Sequence, residues 1–234
     1  MKKLIKDSKV CNLFGGEFEL IETGFSTGEY NMDYDLQRTL ECSEGKALPM
    51  FRFYGWKPWA VSLGANQKED DIDKNKCNEL GFSLVRRPTG GRAVLHANEL
   101  TYSVVLKMPD DKTVHDVYRE IHLILLGGLK KLGCTGLEFV QSQKDLGNFY
   151  KQSGMSVSCF ASSAKYEISW NNRKVIGSAQ RLFGKTLLQH GSILLEYIQS
   201  HSITIEEICG KEISYVECLN AMVDNIENQQ INYH

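Results

Sequence analysis

Short runs of apolar or alternating residues recur along the 234-residue chain, and helical patterns separate them. Such runs are typical of β-strands, because the side chains of a strand point alternately to its two faces. They read MFRFYG, AVSLG, FSLVRR, ELTYSVVLK, KYEISW and KVIGSA. Many short strands with antiparallel connections and separate helices predict an α+β fold, in which helices flank a mixed, largely antiparallel sheet.

Three helical patterns accompany the strands. Residues 28–43 follow Ser26 and Thr27, which are suited to cap a helix, and residues 68–80 end before Gly81. The strongest pattern covers residues 112–132, where apolar residues recur on one side, so we expect a core-packing helix without chemistry. Its apolar side consists of Val114, Val117, Tyr118, Ile121, Ile124, Leu125 and Leu129. A further helix-rich stretch after about residue 202 has the Glu and Asn content of a solvated outer face.

Composition and charge limit the classes of function. With 42% hydrophobic residues the chain can bury a sizeable core, and we expect residues 1–234 to form a single domain. The net charge of −2 and the lack of a basic block give no reason to expect nucleic acid as a partner. No apolar run approaches the roughly 18 residues of a membrane span.

The number and spacing of the cysteines predict the redox state and the cellular compartment of the protein. The seven cysteines lie far apart, with no CxxC pair and no secretory segment, which indicates a reduced, cytoplasmic protein. The histidines and cysteines show no metal-ligand spacing, so we expect no metal.

Residues 86–103, read as RRPTGGRAVLHANELTYS, join a Gly-Gly turn to basic residues, a histidine and a strand. Gly90 and Gly91 carry no side chains and tolerate positive φ, so the amides of Gly90, Gly91 and Arg92 can point into a cleft. We therefore expect an electron-rich ligand oxygen there. For an isolated Thr-Gly-Gly, a hairpin turn whose arginines face solvent would be the favoured explanation.

A second block, residues 158–195, contains a sequence that matches the loose pattern of a phosphate-binding loop. Residues 179–186, AQRLFGKT, satisfy the loose pattern, but such a loop should open a helix. The following LLQHGSILLEY has the character of a strand. We therefore do not expect a nucleotide triphosphatase.

Together the two blocks resemble the superfamily of lipoate–protein ligases, lipoyl or octanoyl transferases and biotin ligases. The matching pieces are RRPTGGRAVLH, ELTYSVV, Lys174 followed by GSAQ, and QHGSILL. Upstream, GEYNMDYDLQ and FRFYGWKPWAVSLGANQ look like the first helix and first strands of the family, so the resemblance covers roughly residues 18–200. It implies a fold of the biotin/lipoyl ligase catalytic-domain type.

Within that superfamily, Cys159 favours the cysteine-dependent octanoyltransferase or lipoyl amidotransferase branch. That branch carries a cysteine before the lysine strand, and ATP-dependent ligases do not need one. Arg92 stands where the ligases usually have a third glycine. The resemblance also implies a single catalytic domain without the C-terminal accessory domain of many lipoate ligases, since the chain ends at residue 234.

The resemblance implies a two-step acyl transfer. Acyl carrier protein, or another octanoylated lipoyl protein, gives its octanoyl group to Cys159 as a thioester, which a lysine of a lipoyl domain then attacks. Glycine-cleavage H protein and the acyltransferase subunits of dehydrogenase complexes are the expected acceptors. No cofactor is expected, and ATP and Mg would be needed only by the alternative, an ATP-dependent lipoate ligase with a separate accessory chain. A non-catalytic lipoyl-binding homologue is the third possibility.

Cys159 and Lys174 are the predicted catalytic residues. A free thiol is mostly protonated at neutral pH, since its reference pKa is about 8.5. A neighbouring Lys174 ammonium would favour the thiolate and could donate a hydrogen bond to the acyl carbonyl. Without the resemblance, Cys159 would be explained as a small buried hydrophobe, and Lys174 as a solvent-facing residue of a turn over residues 171–174.

The predicted substrate site combines both blocks. Small residues after the lysine strand leave space for a linear acyl chain in a narrow apolar pocket, and two histidines are second-line ligands that could also be structural. The predicted substrate-binding residues are Arg87, Thr89, Gly90, Gly91, Arg92, Ala93, His96, Gly177, Ser178, Ala179 and His190. The sequence leaves open the acyl donor, the acceptor, the oligomeric state and any proton transfer by His96 or His190.

Overall fold

A six-stranded sheet forms the centre of the molecule. The computed structural model describes residues 1–139, 167–196 and 202–228. In spatial order the strands are β1 (Lys2–Ile5), β2 (Phe18–Ser26), β3 (Met50–Trp56), β7 (Glu99–Lys107), β12 (Thr186–Leu194) and β11 (Ile176–Phe183). Only β2 and β3 are parallel; the other neighbouring pairs of this sheet are antiparallel. The predicted mixed, largely antiparallel sheet is confirmed.

Two smaller sheets complete the strands that the structure describes. In the first, β4 (Ala60–Leu63) lies between β5 (Ser83–Arg86), which is parallel to it, and β6 (Val94–His96), which is antiparallel. The second has the order β10 (Arg173–Lys174), β9 (Ile168–Trp170) and β8 (Glu138–Phe139). The predicted strand KVIGSA is therefore split at Val175 between two sheets. AQRLFGKT lies in the β11–β12 hairpin, as expected for a sequence that is not a phosphate-binding loop.

The helices in the described ranges are α1 (Cys11–Phe14), α2 (Gly28–Ser43), α3 (Lys74–Glu79), α4 (Val114–Lys131), α5 (Ile205–Cys209) and α6 (Tyr215–Asn228). As predicted, α2 begins after Thr27, whose hydroxyl accepts a hydrogen bond from the Tyr30 amide at 3.3 Å. The helix predicted over residues 68–80 is shorter and begins only at Lys74. The Asp73 carboxylate caps its start by accepting a 3.0 Å hydrogen bond from the Lys76 amide. Residues Glu69–Asp71 form only a 3₁₀ turn.

The two faces of the main sheet pack against different helices. Along β7, Tyr102 and Val104 belong to the large core that α4 and α6 cover, whereas Ser103 and Val105 face α2. This alternation follows from the two-residue period of a strand. The prediction that residues 112–132 form a core-packing helix is confirmed, since Val117, Tyr118, Ile121, Ile124, Leu125 and Leu129 are buried. The helix-rich stretch after residue 202 also has a buried side, formed by Cys218, Met222 and Ile226 of α6.

Candidate active site

A pocket lies between the α2 face of the main sheet and the β4–β6 sheet. Met32, Tyr54, Trp56 and Val94 supply apolar walls. The remaining lining residues are Ser62, Arg87, His96, Thr101, Gly177, Ser178, Ala179, His190, Gly191 and Ser192. The structure thus brings six of the predicted substrate-binding residues, from both sequence blocks, to one pocket.

The register of β11, β12 and β7 determines which side chains face the pocket. Ala179 is paired with His190, which is paired with Ser103, and directly opposed residues share one face of a sheet. The next row, Ser178, Gly191 and Tyr102, faces α4 instead. A Cβ atom on Gly191 would lie 2.5 Å from the Ser178 hydroxyl and 2.6 Å from the Gly177 carbonyl oxygen. Glycine at position 191 is therefore required by the close approach of β11.

His190 connects the Thr-Gly-Gly loop to α2. Its Nε2 atom lies 2.6 Å from the Thr89 hydroxyl, and its Nδ1 atom lies 3.5 Å from Asp35. Burial lowers the pKa of His190, and the nearby Asp35 carboxylate only partly opposes this effect. The imidazole is therefore neutral near pH 7, so its contact with Thr89 joins two uncharged groups.

Asp35 and Arg52 form a fully buried ion pair beside His190. Arg52 Nη1 lies 2.8 Å from Asp35 Oδ1, which also accepts a 2.8 Å hydrogen bond from Ser103. Burial acts to raise the pKa of Asp35, but the Arg52 charge and the hydrogen bonds from His190 and Ser103 lower it more. This pair was not predicted from the sequence: Arg52 is the single charged residue of the apolar run MFRFYG, but Asp35 is one of three acidic residues in GEYNMDYDLQ.

His96 is held on three sides. Its ring stacks on Trp56 with centroids 3.9 Å apart, and its Nε2 lies 2.7 Å from the Ser62 hydroxyl. Its Nδ1 lies 2.8 Å from the buried Glu99 carboxylate, which also accepts a hydrogen bond from Ser192 at 2.7 Å. These contacts fix the imidazole as a wall of the pocket. Neither Glu99 nor Ser62 was predicted from the sequence to belong to the site.

Arg87 holds the Thr-Gly-Gly loop from inside. Its buried guanidinium donates to the carbonyl oxygens of Ser62 at 2.9 Å, Gly90 at 2.8 Å and Arg92 at 2.6 Å. Of the two glycines, only Gly91 has positive φ, at 98°. Among the described residues Thr89, Gly90, Gly91, Arg92 and Ala93 do not line the pocket. A role for the loop amides and the Arg92 side chain at its entrance stays a prediction.

Lys174 is buried and forms an ion pair with Glu167, so it does not take the solvent-facing alternative. Asn171 and Asn172 form the turn, with φ of 48° and 61°, and the chain then returns into β10. The backbone carbonyl of Lys174 accepts a 3.1 Å hydrogen bond from the Ile203 amide. Cys159 lies outside the described residues, and so does any contact that it makes with Lys174.

A polar cluster lies behind the pocket, on the α4 side of the sheet. The Ser178 hydroxyl is 2.7 Å from the Tyr102 hydroxyl and 2.9 Å from Nε2 of the buried His122. Gln189 donates a 2.8 Å hydrogen bond to Tyr102, and burial raises the pKa of Tyr102 well above its usual range. Tyr102 therefore stays protonated, and either hydroxyl can be the donor in its contact with Ser178. His122 was missed because it lies within the apolar side of a predicted core helix.

Within the described ranges, no group of three or more His, Cys, Asp or Glu side chains could hold a metal ion. None of the helices described there has the length and apolar character needed to cross a bilayer.

The sequence profile of the lipoyl protein ligase A/B catalytic domain matches residues 27–228. The chain belongs to this family. It is 39% identical to octanoyltransferase LipM of Clostridioides difficile (strain 630) over 185 residues, which are 77% of this chain and 66% of the relative. It is 41% identical to octanoyltransferase LipM of Carboxydothermus hydrogenoformans over 174 residues, or 73% and 62% of the two chains. The chain thus spans less than two thirds of the length of these relatives.

The fold of the lipoyl protein ligase family is confirmed by a solved structure. The bipartite lipoate protein ligase of Thermoplasma acidophilum, described together with its lipoyl domain, is similar with a TM-score of 0.63 and 19% identity. The similarity covers 88% of this chain and 80% of that one. The prediction of an α+β fold of the biotin/lipoyl ligase type is therefore confirmed.

Proposed function

We propose that this chain is an octanoyltransferase that moves an octanoyl group to a lysine of a lipoyl domain through a thioester on Cys159. The observation that carries the proposal is the pocket itself, which is lined by residues of both family motifs in a chain about 40% identical to octanoyltransferases. The octanoyltransferase activity in the names of those relatives is extended to this chain on that observation.

The walls of the pocket suit a linear acyl chain. Met32, Tyr54, Trp56 and Val94 offer apolar surface, and burial of each methylene in such surroundings is worth roughly 0.8 kcal/mol. Gly177, which is paired with the pocket-facing Ser192, carries no side chain that could fill the space. Two of the polar side chains that line the pocket, His96 and His190, already have hydrogen-bond partners in Glu99 and Thr89. An alkyl chain can therefore displace solvent beside these imidazoles without removing those hydrogen bonds.

Lys174 is suited to act electrostatically. It lies on β10, two residues before the Ile176–Phe183 strand that lines the pocket, and burial strengthens the field of its ammonium. In the proposed reaction this charge favours the Cys159 thiolate and stabilises the oxygen that becomes negative as the acyl carbon is attacked. The Glu167 carboxylate, its ion-pair partner, orients the ammonium and offsets part of its charge.

The proposed donor is octanoyl acyl carrier protein or an octanoylated lipoyl protein, and the proposed acceptors are glycine-cleavage H protein and dehydrogenase-complex acyltransferase subunits. With these donors and acceptors, the proposed location of the reaction is the cytoplasm. The carrier-protein donor is a thioester, which is already activated for attack by a thiolate, and the octanoyl amide of a lipoyl protein is exchanged between two lysine amides of protein partners. The proposed reaction therefore uses no nucleotide and no metal.

Intact-mass measurement after mixing with octanoyl acyl carrier protein, without ATP, tests the proposal. We expect one octanoyl increment that hydroxylamine removes and that a lipoyl domain accepts. Cys159→Ala should lose the increment, whereas Cys77→Ala, which removes another thiol, should keep it. An increment retained by Cys159→Ala would contradict the assignment of the nucleophile.

A second candidate is an ATP-dependent lipoate ligase that works with an accessory chain. The observation that favours it is the likeness of fold to the bipartite ligase of Thermoplasma acidophilum. Ligation of free octanoate or lipoate that requires ATP, without acylation from the carrier protein, would support this candidate. A non-catalytic lipoyl-binding homologue would give neither reaction.

A further inference from the structure

Two thiols meet on the side of the molecule away from the pocket. The sulfur atoms of Cys134 and Cys209 are 3.2 Å apart, although the residues are 75 positions apart in the chain. Cys134 follows the end of α4, and Cys209 is the last residue of α5. A disulfide bond has a length of about 2.05 Å, so the two sulfur atoms need to approach by roughly 1 Å to become bonded.

The two thiols differ in access. Cys134 is buried, and its burial, together with the neighbouring Cys209, raises the pKa of its thiol well above the usual range. Cys209 is only half-buried, so a small reagent can reach it. The third cysteine of this region, Cys218, is fully buried, and burial raises its pKa to about 12. Cys209 is therefore the thiol at which an exchange reaction can begin.

The segment that carries Cys209 also holds the strand of Lys174. Ser202 is bridged to Lys174 in a parallel pairing, and the Ile203 amide donates its hydrogen bond to the Lys174 carbonyl. Arg173, the neighbour of Lys174, forms an ion pair of 3.2 Å with Glu207 in α5. The position of α5 is therefore coupled to the position of β10.

We propose that Cys134 and Cys209 are a redox modification site, which forms a reversible disulfide by exchange with a low-molecular-weight disulfide. The Cys209 thiolate attacks the small disulfide and forms a mixed disulfide, and one small thiol leaves. The Cys134 thiolate then attacks the Cys209 sulfur, and the second small thiol leaves. Two protein thiols are oxidised, one small disulfide is reduced to two thiols, and the two thiol protons pass to the departing thiolates.

The bond fastens the end of α5 to the end of α4. The free energy of local opening of residues 202–209 then increases, because the crosslink restricts the conformations of the opened segment. The exchange of the Ile203 amide with solvent deuterium consequently slows. This inference does not depend on the octanoyltransferase proposal, since it concerns thiols outside the pocket.

The test uses the full chain in glutathione buffers of decreasing reduced fraction, followed by alkylation, mass spectrometry and peptide mapping. We expect loss of two alkylatable thiols, a peptide pair joined through Cys134 and Cys209, and reversal by dithiothreitol. Hydrogen exchange of the oxidised chain should be slower at Ile203, beside β10, and unchanged in β1, the edge strand of the six-stranded sheet.

Variants identify the pair. Cys134→Ser and Cys209→Ser should each abolish the crosslink, whereas Cys218→Ser and Cys77→Ser should keep it. A crosslink that joins Cys218 to either partner, or no crosslink in fully oxidised glutathione, would overturn the proposal. Peptide mapping of the unsubstituted chain identifies the bonded cysteines even if a variant does not fold. Unchanged hydrogen exchange at Ile203 after oxidation would contradict the coupling between the disulfide and the Lys174 strand.

Discussion

The hydroxyl of Thr89 lies 2.6 Å from Nε2 of His190, although 101 positions separate the two residues in the chain. This contact connects the Thr-Gly-Gly loop to β12 and places the two motif blocks on one pocket. The carboxylate of Asp35 lies on the other side of the same imidazole, so the loop, the sheet and α2 meet at one side chain.

Removing the Thr89 hydroxyl should destabilise the fold. Thr89→Val keeps the shape but leaves a buried imidazole nitrogen without this partner, which typically costs about 1–3 kcal/mol. The free energy of unfolding, from urea titration, measures the loss. Thr89→Ser keeps the hydroxyl and should remain within about 1 kcal/mol of the unsubstituted chain. Equal stability of all three chains would show that the contact contributes nothing.

His190 should make stability depend on pH below neutrality. Its pKa is lowered in the folded state, so below the unfolded value of about 6.5 the unfolded chain binds a proton that the folded chain does not. The free energy of unfolding should therefore be at its full value above that pH and decrease as the pH falls towards the folded pKa. His190→Gln should flatten this part of the profile. The lowered pKa of Asp35 adds a separate loss below about pH 4.

Asp35→Asn should be far more destabilising than its position on a helix suggests. The substitution leaves the Arg52 guanidinium buried without its carboxylate, and breaking a buried pair in this way costs about 3–5 kcal/mol. Asp33→Asn, on the exposed side of the same helix, should change stability by only about 0.5 kcal/mol. Thermal and chemical unfolding of the two variants test the difference, which similar losses would contradict.

Lys174→Ala should slow acylation much more than donor binding, because the ammonium acts on charge that develops during the reaction. Removal of one such group typically raises the barrier by about 3 kcal/mol. Lys174→Arg keeps the charge but displaces it, so we expect a substantial loss as well. Single-turnover acylation is the measurement, and Lys185→Ala, at a highly exposed lysine, is the control. Normal acylation rates in both Lys174 variants would exclude it from the reaction.

Substitutions at two glycines, Gly64 and Gly90, test separately whether the Thr-Gly-Gly loop is needed for packing and whether it contacts the substrate. A Cβ atom on Gly64 would lie 1.9 Å from the Gly91 carbonyl oxygen, so Gly64→Ala should displace the loop and lower the melting temperature. No described atom lies within 4 Å of a Cβ atom on Gly90, so Gly90→Ala should melt like the unsubstituted chain. If the loop lines the entrance, Gly90→Ala should nevertheless slow acylation. Normal acylation by that variant would place the loop outside the path of the substrate.

Local sequence patterns predicted much of the fold. The α4 helix was predictable because its apolar residues recur with helical spacing and Thr113 with Asp116 forms a capping box at its start. The length of α3 was overestimated, because the pattern over residues 68–80 does not reveal that Asp73 is the residue that caps the start of the helix.

The site was predictable only where a motif marked it. Arg87, His96 and His190 lie in the two blocks, whereas Asp35 and Arg52 acquire their roles from a strand register that joins distant parts of the chain. The burial of Lys174 was not predictable for the same reason. The Asn171–Asn172 turn is a local feature, but the Ser202 segment that pairs with Lys174 comes from much later in the sequence.

The one-residue alternation along β12 has a consequence for how this protein can vary. His190 and Ser192 face the pocket, while Gln189 and Gly191 face the cluster around Tyr102 and Ser178. Substitutions can therefore alter either side independently of the other. Insertion or deletion of a single residue within the strand would exchange the two sets, bringing an amide and a glycine to the pocket and an imidazole into the core. Apart from Gly191, β12 should therefore tolerate changes of residue type better than changes of length.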